Sequence, residues 1–298
     1  MHIKEELARK EYHMALTINT NLSSMLVQSN LSKATTSLNL AIERMTTGYK
    51  INHASDNAAG YSIARNWEAQ LGSLDVAADN AATGADMLST LEDHYALIST
   101  HVQRVRDLTE QAANGTYGTQ SLTAIRSEIN ARLEEIDRIA ANCEFSGQYM
   151  MDGSLKDIAL QVGTDGNPTK SQIVLKDELF AKGDVESLFG ADRDTIATKC
   201  AGLKTGTSAS DMLATIDEVI NTISGRITTL GAAQNRIESA IKSIGVQSEN
   251  ITSSLSTLRD ADVATESSNY IKAQILQQAS ATLLATANQT PSIALNLL

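Results

Sequence analysis

The chain has 298 residues, 11 aromatic residues (3 Phe, 7 Tyr and 1 Trp), 2 Pro and a formal net charge of −11. Its length fits one large domain or two ordinary ones. The late positions of Pro168 and Pro291 leave most of the chain open to long helices, and the few aromatic residues favour aliphatic seams over a thick core. An acidic chain without a basic stripe is a poor candidate for nucleic-acid binding.

The first 13 residues differ from the rest of the chain, because they are charged and helix-prone and the composition changes abruptly at Met14. Lys10 and Glu11 can be encoded by a ribosome-binding sequence shortly before Met14. We interpret residues 1–13 as a leader or a mis-set start, with a genuine N-terminal arm as the alternative. These residues also lack the apolar segment of a cleavable signal peptide.

Both ends of the remaining chain have helical spacing but almost no charge. Lys33 is the only charged side chain between Met14 and Ile42, and none occurs in 273–298. A solvated helix normally carries charges on its outer face, so these helices are expected to pack against other chains. The candidate self-assembly residues are the large aliphatic ones of both ends: Leu31, Leu38, Ile42, Ile271, Ile275, Leu276, Leu283 and Leu284.

Membrane contact is the competing explanation for the chargeless ends. Interfacial helices are rich in Lys and Arg, whereas these segments are not. A spanning helix would not carry so many amides, which here are Gln274, Gln277, Gln278, Asn288 and Gln289. We therefore expect no membrane insertion.

Three seams, each a row of mostly apolar residues at helical spacing, predict long helices that pack as an antiparallel bundle. The first runs from Leu88 to Ala112 and ends at the turn signal of Asn114 and Gly115. The second runs from Leu122 to Ile139. The third alternates spacings of four and three along the following residues: Ile216, Ile220, Ile223, Ile227, Leu230, Gln234, Ile237, Ile241, Ile244, Ser248, Ile251, Leu255 and Leu258.

The segment between about 145 and 206 is richer in glycine, and it predicts a small α/β cap on the bundle. Residues 158–162 and 171–175 are two short apolar-rich runs on either side of a Gly- and Pro-containing turn, which predicts a β-hairpin. Residues 200–210 are interpreted as a loop. The predicted fold is therefore mainly α, a long antiparallel helical or coiled-coil bundle with a small β-hairpin region in the middle.

The sequence lacks the motifs of common catalytic, cofactor and metal sites. Cys143 and Cys200 form no CxxC pair and are interpreted as free thiols, with Cys200 in a loop. His94 and His101 are seven residues apart on one helix and are interpreted as solvated or packed. There is no Gly-rich phosphate loop, no HExxH and no GxSxG. We expect no catalytic residue, no cofactor and no metal.

Several motifs, taken in chain order, resemble bacterial flagellin. They cover residues 14–145 and about 210–298, and are these: Ile18–Asn21, Gln28–Leu31, Arg44–Gly60, Gln103–Gly115, Asp260–Glu266, Lys272–Ala279 and Ala287–Pro291. The resemblance implies a structural subunit of the flagellar filament, in a minimal form without large outer domains. A hook–filament junction protein, which shares the terminal motifs, is the alternative. A coiled-coil surface adhesin or secreted toxin component would not need matched chargeless ends.

The resemblance also implies an organisation and a set of partners. Residues 14–57 and 257–298 are expected to pair as inner-tube helices, and 58–256 to form a rod-like core that includes a β-rich insert at 146–206. Members are exported unfolded through a type III channel, so the protein is expected to be secreted into the flagellum, outside the cell. The implied partners are other copies of the chain in a helical homopolymer, an export chaperone, a cap protein and a hook-junction protein. The chargeless ends are expected to fold as subunits assemble.

Flagellins that activate Toll-like receptor 5 carry a Gln-Arg pair, a Leu four residues after the Arg and a Glu on the next helix. Gln103, Arg104, Leu108 and Glu128 match that pattern. Leu108 is expected to face away from the helix seam. The full set of residues expected to bind the receptor in the monomer is Gln103, Arg104, Leu108, Gln111, Ile125, Glu128, Arg132 and Arg236.

Overall fold

The computed structural model describes residues 20–203 and 209–295. The long helices are α1 (Leu22–Thr47), α2 (Ala58–Ala113), α3 (Thr119–Ala141), α7 (Ala209–Arg259) and α8 (Val263–Leu295). The strands are β1 (Glu144–Phe145), β2 (Gln148–Tyr149), β3 (Ile158–Gln161) and β4 (Gln172–Leu175). Short helices complete the middle of the chain: α4 (Pro168–Ser171), a 3-10 turn (Asp177–Phe180), α5 (Val185–Phe189) and α6 (Arg193–Cys200). The prediction for residues 1–13 lies outside the described residues.

The chain divides into two compact units, residues 68–252 and the two ends together, 1–67 and 253–298. The unit 68–252 contains the first two predicted seams and the third as far as Ile251. The first two seams and the third up to Ile241 form one hydrophobic core, and Ile244 and Ile251 pack in a second cluster with Leu74 and Ala77. Every seventh residue of the α7 seam is buried, at Ile216, Ile223, Leu230, Ile237 and Ile244. The predicted α-helical bundle is confirmed.

Two antiparallel hairpins lie in the middle of the chain, and the larger of them is the predicted one. In the larger one Ile158 is paired with Leu175 and Gln161 with Gln172. This hairpin packs on α2, where Leu160 contacts Gly84 and the Asn80 amide donates to the Gln161 carbonyl at 3.2 Å. A side chain at position 84 would displace Leu160, so the glycine sets how closely strand and helix approach.

Polar contacts fasten the rest of the insert to the bundle. The hydroxyl of the fully buried Tyr95 donates to the Ala181 carbonyl at 3.1 Å, and Arg226 Nη1 donates to the Lys182 carbonyl at 2.7 Å. The Val185 amide donates to Asp137 Oδ1 at 2.8 Å. Because these contacts reach α2, α3 and α7, the insert is part of the same core.

The predicted loop at 200–210 is partly wrong. Cys200 is the last residue of α6 and is fully buried, and α7 already begins at Ala209. Residues 204–208 lie outside the described residues. Apolar residues are too sparse in this stretch for periodicity to mark the short α6, whose Asp192 caps it by accepting from the Thr195 amide.

No helix in the described part of the chain is long and apolar enough to cross a membrane.

Candidate functional site

Within the unit formed by the two ends, α1 and α8 are paired along matching seams. The buried or half-buried positions of α1 alternate spacings of three and four, at Ser24, Val27, Leu31, Ala34, Leu38, Ala41 and Met45. Those of α8 do the same, at Glu266, Tyr270, Ala273, Gln277, Ser280, Leu284 and Ala287. This 3.5-residue repeat is the pattern of a coiled-coil seam. Small residues at its centre let the two helices approach closely.

Polar contacts at intervals along the seam set the antiparallel register. Arg44 Nη1 lies 3.2 Å from Glu266 Oε1, and Gln277 Nε2 donates to Thr35 Oγ1 at 3.1 Å. Near the other end, the Asn21 amide donates to the Ala287 carbonyl at 2.7 Å. Residues earlier in α1 contact residues later in α8, so the two helices run in opposite directions.

A short backbone bridge closes one end of this helix pair. Gly48, at φ 75°, ends α1, and its carbonyl accepts from the Ala261 amide at 2.8 Å. The Lys50 amide donates to the Arg259 carbonyl at 2.6 Å, and the Arg259 guanidinium lies 4.1 Å from the centre of the Tyr49 ring. The bridge fixes where α8 begins relative to the end of α1.

The turn before α8 carries exposed negative charge. A hydrogen bond from the Thr265 hydroxyl, with further ones from the backbone, lowers the pKa of Asp262, which caps α8. Asp260 lies two residues earlier and is also exposed. In the connection between α1 and α2, hydrogen bonds from the backbone amides of His53 and Asn52 lower the pKa of Asp56. The lowered pKa values keep the carboxylates of Asp262 and Asp56 ionised at neutral pH.

The outward surface of the α1–α8 pair is apolar and exposed. Leu22 is 71% exposed, Leu26 64% and Ile275 60%. The other large hydrophobic residues exposed on these two helices are Met25, Ile42, Val263, Ile271, Leu276 and Leu283. A groove of about 670 Å³ also runs between the helices, lined by both apolar side chains and the two lysines Lys33 and Lys272. Large apolar side chains exposed in this number on one helix pair indicate an interaction site.

The eight residues predicted for self-assembly fall into two sets. Leu31, Leu38 and Leu284 are half-buried in the seam within the chain. The other five are exposed: Ile42, Ile271, Ile275, Leu276 and Leu283. The sequence did not separate the sets because α8 carries no charge on either face after Lys272. The small and polar seam residues, such as Ala273 and Gln277, carry the signal that sequence reasoning missed.

The residues predicted for receptor binding are only partly brought together. Arg104 Nε and Nη2 donate to Glu128 Oε1 at 3.0 and 2.8 Å, joining α2 to α3 across an exposed surface. Arg132 Nη2 lies 3.9 Å from the same oxygen. Gln103 is exposed, and Gln111 donates to the Tyr117 hydroxyl at 2.9 Å. Arg236 is exposed on α7, beside the buried Ile237.

The prediction that Leu108 faces away from the seam is wrong, because this side chain is 2% exposed. Helix α2 packs on two sides here: Arg104 pairs with Glu128 of α3, and Arg106 Nε lies 2.7 Å from Asp217 of α7. The strip between the two contacts is therefore buried more widely than one seam. Ile125 of the same predicted set is also buried, at 8% exposure.

The two cysteines and the histidines His94 and His101 are buried, half-buried or hydrogen-bonded within the fold. Cys143 and Cys200 are free, buried thiols, and burial raises the pKa of Cys143 to about 12. Burial also lowers the pKa of His101, while His94 Nδ1 lies 2.7 Å from the Thr90 carbonyl. Among the described residues, no three His, Cys, Asp or Glu side chains are grouped to hold a metal ion.

Comparison with known proteins gives matches over nearly the whole chain. The family model "bacterial flagellin N-terminal helical region" matches residues 18–156, and "bacterial flagellin C-terminal helical region" matches 213–298. A flagellin from Bacillus subtilis is 34% identical, over 95% of this chain and 100% of the relative. The flagellar filament 33 kDa core protein of Treponema phagedenis is 30% identical, over 95% of this chain and 100% of its own.

One solved structure shares the fold. It is that of a Vibrio parahaemolyticus protein described as a flagellar hook-associated protein, which is 14% identical with a TM-score of 0.57. The match covers 69% of this chain and 100% of the other. At that identity the likeness concerns the fold alone.

Proposed function

This chain belongs to the bacterial flagellin family and is a structural subunit of the flagellar filament, and we propose that its paired helices α1 and α8 form the contacts between subunits. The observation that carries the proposal is the exposed apolar surface of that pair, on which Ile275 and Leu283 are 60% and 58% exposed. Contacts with water on such a surface are unfavourable. Burial against a second copy removes these contacts.

The helix pair is expected to gain most of its stability on assembly. Its seam buries only Ala34, Ala41 and Ala273 among apolar residues, and these side chains are small. So little apolar burial does not offset the conformational entropy lost by two long helices. Amide hydrogen exchange should therefore be fast in 22–47 and 263–289 of the monomer and slow in both segments of the filament, while Ile129 and Leu133 are protected in each form.

Export and location follow from the same assignment. We propose that the protein is secreted through the flagellar export channel and resides in the flagellum outside the cell. Its proposed partners are an export chaperone, a cap protein and a hook-junction protein. The inner-tube helices are assigned to 14–57 and 257–298 and the rod-like core to 58–256. The family is one of structural proteins, which supports a role without enzymatic activity.

A second proposal concerns recognition of the monomer by host Toll-like receptor 5. The exposed ion pair of Arg104 and Glu128, with Arg132 beside it, supports this proposal because it offers charged hydrogen-bonding groups on one surface. Leu108 and Ile125 belong to the packing beneath that surface. Their proposed role is to hold the two helices in position.

The alternative function is that of a hook–filament junction protein. The shared fold with the Vibrio parahaemolyticus structure is the observation in its favour. Identities of 34% and 30% to filament proteins over their whole lengths favour the filament subunit.

Assembly of the purified protein tests the proposal. We expect long filaments by electron microscopy from the unaltered chain, and none at the same concentration when Ile271 and Ile275 are both replaced by Ser. Leu97 and Val246, which are 52% and 58% exposed in the other unit, provide the control when replaced in the same way. Equal assembly of both double variants would contradict the assignment of the α1–α8 surface.

A further inference from the structure

We propose that Lys33 and Lys272, which line the groove between α1 and α8, form ion pairs with Asp260 and Asp262 of a neighbouring copy of the chain. The inference rests on the proposed role of these helices in assembly. It names the charged partners that fix how one copy lies against the next.

The two lysines are isolated charges in segments of the chain that otherwise carry none. Lys33 is the only charged side chain of residues 14–42, and Lys272 is the only one of 267–298. Both line the same groove, together with apolar residues such as Leu40, Leu276 and Leu283. Neither has an ion-pair partner among the described residues, although the third cation of the groove, Arg44, is paired with Glu266. The groove therefore carries two positive charges that have no ion-pair partner among the described residues.

Unpaired charges in such a place become a cost when the surface is covered. A lysine that loses its water at an interface needs a counter-charge, because desolvation of a lone ammonium is strongly unfavourable. The covering surface of the second copy must therefore present carboxylates at the positions of Lys33 and Lys272.

The same unit offers few carboxylates for that purpose. Glu266 is paired with Arg44, and Glu43 Oε1 lies 2.8 Å from His53 Nε2. Asp56 is also exposed, but it lies in the connection between α1 and α2, where it accepts from the backbone amides of Asn52 and His53. The other two carboxylates of 20–67 and 253–295 are Asp260 and Asp262, which are exposed and have no cation partner among the described residues. They lie in the single turn before α8.

These groups cannot meet within one chain. Ten residues of helix separate Asp262 from Lys272, which is roughly 15 Å at 1.5 Å per residue. Lys33 lies further along the pair, because its neighbour Thr35 already contacts Gln277. A second copy displaced along the helix axis by roughly 15–25 Å brings its acidic turn over the lysines. If the displacement is repeated in one direction, the contact is heterologous and builds an open filament.

Charge reversal in the full-length protein tests the pairing. In the groove variant Lys33→Glu/Lys272→Glu, the critical concentration for assembly should rise roughly thirtyfold or more, since both ends of the contact are then negative. The turn variant Asp260→Lys/Asp262→Asn should lose assembly similarly. Asparagine is used at 262 because it retains the helix cap. An equimolar mixture of the two variants should assemble within about threefold of the unaltered protein, because opposite charges meet again.

The control is Lys156→Glu/Lys176→Glu, which makes the same charge change at two exposed positions of the other unit and should leave assembly unchanged. The neutral variant Lys33→Gln/Lys272→Gln should reduce the salt dependence of assembly, and circular dichroism should show equal helix content in all monomers. Normal assembly of the groove variant would overturn the inference and assign the lysines to another partner. Failure of the mixture to assemble would also overturn it, whereas failure of the unaltered chain would contradict the proposed function itself.

Discussion

Arg44 of α1 and Glu266 of α8 form an ion pair whose side chains are only 23% and 10% exposed. Asn269 donates a further hydrogen bond to Glu266 at 3.3 Å. The pair lies at the end of a seam that otherwise buries small apolar side chains. It therefore fixes the register of the two helices at that end of the seam.

Replacement of Glu266 by Ala should weaken the filament, because Arg44 is left largely buried without a counter-charge. We expect a loss of about 1–3 kcal/mol per subunit, measured as a rise in the critical concentration. Glu43→Ala is the control, since that carboxylate is more exposed. The double variant Arg44→Met/Glu266→Leu should recover much of the loss, and a double variant as weak as Glu266→Ala would contradict this role of the ion pair.

Gly84 should tolerate no side chain while Leu160 is present. The Gly84→Ala variant places a methyl group on Leu160, and overpacking costs about 1–3 kcal/mol, partly offset by about 1 kcal/mol of helix propensity. Gly72→Ala on the same helix meets nothing within 4 Å and should stabilise by about 0.5–1 kcal/mol. Urea unfolding measures both.

Removal of Leu160 provides the stringent check on that contact. In the double variant Gly84→Ala/Leu160→Ala the new methyl group meets a smaller neighbour. The double variant should therefore lose less stability than the sum of the losses of Gly84→Ala and Leu160→Ala measured separately. Strict additivity of the two changes would show that the contact does not set the position of the hairpin.

Arg104→Ala should reduce binding of the monomer to Toll-like receptor 5 by about 1–3 kcal/mol, if its charged hydrogen bonds are buried in the complex. Arg106→Ala is the matched control, because Arg106 lies two residues away and pairs with Asp217 of α7. Leu108→Ala should act differently, lowering the stability of the fold by about 2–5 kcal/mol because this side chain fills the core. Equal receptor affinities of Arg104→Ala and the unaltered monomer would refute the site.

The Cys143 thiol should make stability depend on pH in the alkaline range. Burial raises its pKa to about 12, whereas the ordinary value is 9.0. Below pH 9 both states keep the proton and the full contribution is present. Between pH 9 and 12 only the unfolded thiol ionises, so the native state loses about 1 kcal/mol by pH 10.

Comparison of the unaltered protein with Cys143→Ala isolates this contribution from other alkaline titrations. The free energy of unfolding should fall more steeply from pH 8 to 10 with the cysteine present. Parallel curves for the two proteins would show that the thiol titrates normally.

The sequence predicted the bundle because its seams are long and aliphatic, as in Ile216 to Ile244, where periodicity alone identifies the buried face. It also located the larger hairpin, since two short apolar-rich runs flank a clear turn. It did not place Leu108, because a helix with two neighbours buries more than one seam. Nor did it identify the inner face of α8, where Ala273, Gln277 and Ser280 pack inside and the larger Ile271 and Ile275 remain outside. Hydrophobicity alone points to the wrong face there, because the larger residues are available for other copies.

The claim that the α1–α8 pair is the assembly element, separate from a core that folds by itself, is tested most directly by deletion of residues 273–298. Circular dichroism and urea unfolding should show a cooperative helical core in the truncated protein, because the seams of α2, α3 and α7 lie outside the deletion. Sedimentation and electron microscopy should show no filaments at concentrations where the full chain assembles completely. Filaments from the truncated chain at a similar critical concentration would contradict the account.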